Sequence, residues 1–133
     1  MKYLTEGDVL MMHALILDET TGSHGVRDTG LLKSLIARPK QAFGGKDVHT
    51  DLWQKAAIYF ESIATYHVFI DGNKRTSVTA TARFLSINGY ELEAANEEVV
   101  LFTLRVATEK LDIKIIADWL QKHSAPKKIS LDS

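Results

Sequence analysis

The chain has 133 residues, 45% hydrophobic and 25% charged, the balance of one globular domain that buries roughly two thirds of its unfolded surface without help. Sixteen Lys plus Arg against seventeen Asp plus Glu leave a net charge of −1, which disfavours a duplex-DNA binder and gives an anionic membrane nothing to attract. No cysteine is present, which excludes a disulfide framework and thiolate metal sites. Neither a signal-peptide core nor an apolar run approaching the ~20 residues of a membrane helix is found, so a cytoplasmic protein is expected.

The first predicted helix starts at Thr5, where Thr5-x-x-Asp8 has the form of a capping box, carries Val9, Met12 and Ile16 at helical spacing, and ends near Thr21-Gly22. A second, over 29–38, begins after Asp28 as N-cap, presents Leu31, Leu32, Leu35 and Ile36 on one face, and is stopped by Pro39. The segment Gln41 to Thr50 has two glycines and no helical period, and reads as a loop or short hairpin. From Asp51 to about Tyr66, Leu52, Ala56, Tyr59, Phe60 and Ile63 form a strong stripe, the mark of a core helix. Another helix carries Val78, Ala82 and Leu85 and ends at Asn88-Gly89. Tyr90 to Glu93 has room only for a short extended piece. Asn96 is read as the cap of a helix with Val99, Phe102 and Val106, and Asp112 as the cap of a last one with Ile113, Ile116, Ala117 and Leu120. The expected architecture is therefore an all-α bundle of about six helices with a short flap or hairpin, one domain over 1–123, and a flexible tail over 124–133.

Between the two central helices, a His, an Asp, an Asn, a Lys and an Arg crowd into the segment His67 to Arg75. Gly72-Asn73-Lys74 opens a helix, whose N-terminus offers backbone N–H groups without partners and the positive end of a dipole, a natural phosphate seat. Gly72 lets the backbone approach closely, and Lys74 and Arg75 add a point charge and a planar fork for phosphate oxygens. Asp71 is suited to Mg²⁺, which takes one or two carboxylates plus phosphate oxygens. His67 is suited to accept the proton of a Ser, Thr or Tyr hydroxyl. Phe69 and Ile70 are the apolar anchors of the loop. His13, His24, His49 and His123 show no metal-like spacing and are assigned no role. Trp53 and Trp119 are read as packing residues, and Arg27 and Asp28 as local capping and pairing residues.

The string His67-x-Phe69-x-Asp71-Gly72-Asn73-Lys74-Arg75 resembles the core signature of the Fic/Doc superfamily, His-x-Phe-x-(Asp/Glu/Asn)-(Gly/Ala)-Asn-x-Arg, and Lys74 at its variable position resembles the Doc (death-on-curing) branch. Gly25-Val26-Arg27-Asp28-x-Gly30-Leu31-Leu32-x-Ser34-x-x-Ala37-Arg38-Pro39 resembles the N-terminal region of Doc-like proteins. The resemblance implies a Fic-type helical bundle, with His67 as general base, Asp71 as the Mg²⁺ ligand, and Asn73 with its neighbouring backbone amides as the anion hole. It implies phosphate binding by Arg75, and that the 41–50 segment is a flap aligning an extended target segment by main-chain pairing.

The chain departs from the pattern of AMP-attaching Fic proteins in two places. These mostly have Gly at the position of Lys74 and a second Arg at the position of Val78. One triphosphate-clamping guanidinium is thus missing and a lysine fills space left for phosphates. The Doc branch, in which the nucleotide sits reversed, implies transfer of the γ-phosphate of ATP to a protein hydroxyl, on a threonine of elongation factor Tu, with translation inhibited and a cognate antitoxin masking the site. An AMP transferase tolerant of Lys74 and a non-catalytic regulatory protein of the same fold are the alternatives.

Overall fold

The computed structural model describes residues 1–18, 22, 25–49 and 51–128. Among these, six α-helices and two small antiparallel sheets are found, in agreement with the expected helical architecture. The predicted end of the first helix at Thr21, together with His24, Thr50 and residues 129–133, lies outside the described residues.

Helix α1 spans Glu6–Asp18 and opens with the expected box: Thr5 N–H donates to Asp8 Oδ2 (2.8 Å), and Asp8 N–H to Thr5 Oγ1 (3.1 Å). Its inward face differs from the predicted stripe. Val9, His13 and Leu17 are buried, while Met12 and Ile16 flank them half-buried. The helix is rotated toward a histidine, which a purely apolar pattern discounts. Helix α2, Thr29–Ala37, is capped by the Asp28 carboxylate, which accepts from Leu31 N–H at 2.9 Å. Pro39 does not end the chain's helical path at once, because its fixed φ suits the tighter 3₁₀ turn Arg38–Lys40 that follows.

A two-residue hairpin comes next, β1 (Ala42–Phe43) paired with β2 (Lys46–Asp47). Its turn, Gly44-Gly45, has both φ values positive, at 58° and 80°, the twist that two-residue hairpins favour. One buried cation ties the hairpin to the body. Lys55, 1% exposed, donates to Tyr3 Oη (2.8 Å), the Pro39 carbonyl (3.0 Å) and Asp47 Oδ2 (3.1 Å). Burial works against its charge, but the bonds to Tyr3 and Asp47 outweigh it and raise the lysine pKa above its ordinary value.

Helix α3 (Leu52–Thr65) is the centre of the molecule, started by Asp51, whose Oδ1 accepts from Gln54 N–H at 2.7 Å. Ala56, Ala57, Ile58, Tyr59, Phe60 and Ile63 are fully buried, so the helix is covered nearly all round. Truncating Phe60 to Ala at such a place costs about 3–5 kcal/mol. Against α3 pack α4 (Asn73–Ile87), α5 (Asn96–Glu109) and α6 (Ile113–Lys122). Trp119 of α6 stacks on Phe102 of α5 with centroids 4.2 Å apart, and Trp53 meets Tyr90 edge-on at 5.0 Å, so both tryptophans pack as expected.

Two sequence-based expectations need correction. Asn96 is the first helical residue of α5, not its cap; the cap position is the extended Ala95, with no side-chain bond. The tail is not frayed where it follows α6. Ser124–Pro126 forms β4, which pairs with β3 (Tyr90–Leu92), and Lys127 N–H donates to the Gly89 carbonyl at 2.8 Å. The physical reason is satisfaction of the β3 backbone, which needs a partner strand that no local pattern reveals.

Candidate functional site

The site lies in the connection from α3 to α4, at positions 66–72. Tyr66 closes α3 and His67 follows in the left-handed region with φ 50°, which turns the chain sharply. A non-glycine residue there costs about 1 kcal/mol and persists only where neighbours over-determine the backbone. Here they do. Val68 and Phe69 are fully buried. Arg27 N–H donates to the Val68 carbonyl (2.7 Å) and Ile70 N–H to the Gly25 carbonyl (3.1 Å), making a short antiparallel bridge between Val26 and Phe69. Arg27, read from the sequence with Asp28 as a local capping and pairing residue, thus joins Gly25 and Val26 in supporting the loop from outside.

Asn73 grips the loop from the other end. Its Oδ1 accepts from Phe69 N–H (3.0 Å) and its Nδ2 donates to the Phe69 carbonyl (2.9 Å). Both polar atoms of the buried side chain are thereby engaged, so the part of Asn73 that faces the site is its main chain. The expectation of an anion hole at Asn73 is refined accordingly: the side chain shapes the loop, and the backbone amides at the start of α4 face the cleft.

The third support was missed by sequence reasoning. His13 of α1 is 4% exposed, and its Nε2 lies 2.7 Å from the Asp71 carbonyl, which requires the N–H tautomer or the protonated ring. The same ring stacks on Phe69, centroids 3.7 Å apart and planes within 9°. One side chain therefore sets both the anchor of the loop and the carbonyl beside its carboxylate. The only sequence signal was position: His13 stands four residues after Val9 and four before Leu17, on the inward stripe.

Gly72 is the N-cap of α4 with φ 80°, and a Cβ there would stand 2.6 Å from Leu17 Cδ2. Glycine is required both by conformation and by the close approach of α1. Its carbonyl accepts the first main-chain bond of α4, from Thr76 N–H at 2.9 Å. The amides of Asn73, Lys74 and Arg75 precede that bond and, by helix geometry, have no intrahelical acceptor. With the dipole behind them they are suited to seat an anion, and Lys74 and Arg75 are both exposed beside them.

These groups open on one cleft of about 260 Å³, lined by Ala64, His67 and the continuous run Ile70 to Arg75. All the predicted site residues, His67, Asp71, Gly72, Asn73, Lys74 and Arg75, therefore meet in one place. His67 and Asp71 are both exposed at its edge. Val78, one turn further along α4, is half-buried and faces α5. Among the described residues no group of three or more His, Cys, Asp or Glu could cage a metal ion by itself, and no helix is long and apolar enough to cross a membrane.

Comparison with known proteins gives the chain a family. A family model described as Fic/DOC matches residues 3–85, which include the whole cleft and its supports from α1. A protein named Toxin Doc from Mycolicibacterium smegmatis is 42% identical over 93 residues, covering 70% of this chain and 69% of the relative. A protein named Protein kinase doc from Escherichia phage P1 is 26% identical over 122 residues, covering 92% of this chain and 95% of that one. With the signature loop held between two central helices and the family match spanning most of the bundle, the chain belongs to the Fic/DOC family.

Proposed function

We infer that this protein is a Doc-type toxin that transfers the γ-phosphate of ATP to a hydroxyl of a protein target, in the cytoplasm. The observation that carries this reading is the composition of one cleft: an exposed His67, an anion seat at the start of α4 flanked by Lys74 and Arg75, and an apolar wall at Val78 where AMP-attaching relatives place a second Arg. The similarity to a phage P1 protein named as a kinase supports the same direction of transfer.

In the proposed reaction, the target hydroxyl gives its proton to an imidazole nitrogen of His67 as its oxygen forms a bond to the γ-phosphorus. The bond from that phosphorus to the bridging oxygen breaks, and ADP leaves. The backbone amides of Asn73, Lys74 and Arg75 face the charge that gathers on the phosphoryl oxygens, and they are in place before the reaction. Arg75 holds phosphate oxygens through its fork and Lys74 through a single charge. Asp71 is the residue that would hold Mg²⁺. A single carboxylate at the cleft suits an ion carried on the nucleotide's own phosphates rather than a protein cage. When bound, Mg²⁺ supplies neutralisation of the phosphate charge.

The hairpin at 42–47 suits the flap role. Its residues are exposed, Phe43 is 85% exposed, and its short strands offer main-chain groups to an extended segment. The target we propose is a threonine of elongation factor Tu, whose modification stops translation, and the regulator is a cognate antitoxin that masks the cleft.

The test is the position of the label. Full-length protein incubated with a bacterial extract and ATP should pass label from the γ position to protein and none from the α position. His67→Ala should lower that transfer by about 10²–10⁴-fold. Label arriving only from the α position would overturn phosphorylation in favour of AMP transfer. Growth inhibition that survives His67→Ala would instead establish a non-catalytic binding protein.

A further inference from the structure

His13 is a buried side chain that the reaction above does not use. Its Nε2–H donates to the Asp71 carbonyl at 2.7 Å from the α1 side of the loop, and the same nitrogen stands 3.7 Å from the place a Cβ on Gly72 would take. The peptide it holds, Asp71–Gly72, is trans, so the carbonyl and the N–H of that unit point in opposite directions. The carbonyl points to α1. The Gly72 N–H therefore points away from α1, to the side where Gly72 lines the cleft and neither His13 nor Leu17 does. Among the described residues no group accepts from that N–H.

Of the peptides in the loop, this one is least able to keep its own orientation. Turning it over exchanges the places of the carbonyl and the N–H and carries Gly72 from positive to negative φ, which glycine allows at little cost. A stiffer residue is not available, because the close approach of Leu17 leaves no room for a Cβ. The chain on either side is fixed independently, Phe69 by the Asn73 amide and α4 by its own main-chain bonds. Only the His13 bond distinguishes the two orientations of the peptide between them. The difference lies in the sign of the dipole at the cleft. As held, an N–H precedes the amides of Asn73, Lys74 and Arg75; turned over, a carbonyl oxygen would face any anion those amides receive.

We propose that His13 is a positioning residue of the transfer reaction: from behind the loop it selects the orientation of the Asp71–Gly72 peptide in which an N–H, not a carbonyl, faces the phosphoryl group. The inference rests on the phosphate-transfer reading above and deepens it by adding a residue of α1 that never touches the substrate yet decides what the loop offers it. Donors stabilise developing charge only when they are aimed before the reaction, so one peptide turned the wrong way affects transfer as well as binding.

The amide resonances of the full-length protein, followed while inorganic tripolyphosphate is added, test this. In the wild type the Gly72 N–H should move together with those of Lys74 and Arg75. His13→Phe keeps a ring on Phe69 and removes the donor. In that variant the Gly72 N–H should stop responding while Lys74 and Arg75 still respond, which a general loosening of the fold would not produce. Affinity for tripolyphosphate should fall about five- to tenfold, the worth of one ordinary hydrogen bond, and γ-label transfer at saturating ATP by at least as much. His13→Gln regains a donor and should restore the Gly72 response and most of the rate. Should His13→Phe not fold, His13→Met removes the donor with a more adaptable chain and gives the same reading. A Gly72 response that survives loss of the donor overturns the proposal, as does a Gln variant no better than the Phe or Met variant. The two readings fail separately. If Gly72 follows tripolyphosphate only when position 13 carries a donor, but no γ-label reaches protein, the transfer reading falls and His13 remains the residue that orients the loop for an anion. If label is transferred equally with and without the donor, the transfer reading stands and this one falls.

Discussion

The loop after α3 and the hairpin before it are of similar length, yet they are held in opposite ways. The loop, 66–72, buries Val68 and Phe69 completely and is fixed from three directions: by the Gly25 to Arg27 main chain, by the Asn73 amide and by the His13 ring. The hairpin buries none of its strand residues and, among the described residues, depends on its own pairing and on the reach of Lys55 to Asp47. Under the proposed function, groups that must meet a phosphorus atom gain from being in place beforehand, whereas a segment that receives varied chain gains from room to adjust. On that proposal the contrast is one of rigid chemistry beside adaptable recognition.

The sharpest break in that contrast comes at Gly72. Gly72→Ala forces a Cβ into the left-handed region and against Leu17, and should cost about 2–3 kcal/mol, read as a lower urea midpoint with an unchanged slope. Next in size is His13→Phe, which retains a ring to stack on Phe69 but removes the donor to the Asp71 carbonyl. A loss of about 1–2 kcal/mol is expected, with faster amide exchange at Ile70 to Gly72, and His13→Gln should recover part of it by donating to the same carbonyl. If Phe and Gln behave identically, packing rather than the hydrogen bond holds the loop.

The hairpin should respond more weakly and in its own residues. Asp47→Ala removes one half-exposed partner from a buried lysine that keeps two others, so about 1 kcal/mol is expected, with exchange rising at 42–48 and unchanged at 67–72. Rising exchange in both segments would erase the distinction between them. The smallest effect is acid-linked. Partial burial, with the nearby Arg38 and Lys55 charges, holds the His49 pKa below its ordinary 6.5. The unfolded chain then takes up the proton more readily, so this contribution is complete above pH 6.5 and fades as pH falls below it. The effect is small because the ring is partly exposed, and comparing urea midpoints at pH 5 and 7.5 for His49→Gln and wild type isolates it.

Much of this was legible locally. The Thr5 box, the Asp28 and Asp112 caps and the α3 stripe depend on residues a few positions apart, and the structure has them as read. The cluster from His67 to Arg75 is equally local, because one short loop and the helix it starts bring these residues to one cleft. What local pattern could not hold was pairing at a distance. His13 interrupts an apolar stripe and gains meaning only from Asp71 and Phe69; Ser124–Pro126 becomes a strand only because Tyr90–Leu92 needs a partner; Asn73 offers the cleft its main chain because Phe69 takes its side chain.

The same division runs through the site itself. That His67, Asp71, Lys74 and Arg75 belong together follows from spacing, since a turn followed by a helix start brings neighbours in sequence to one opening. That they are held still, and that an apolar wall stands at Val78, follows from α1 and α5, helices distant in the chain. Their contact with the loop and with α4 is chosen by burial of the whole core rather than by any short-range preference.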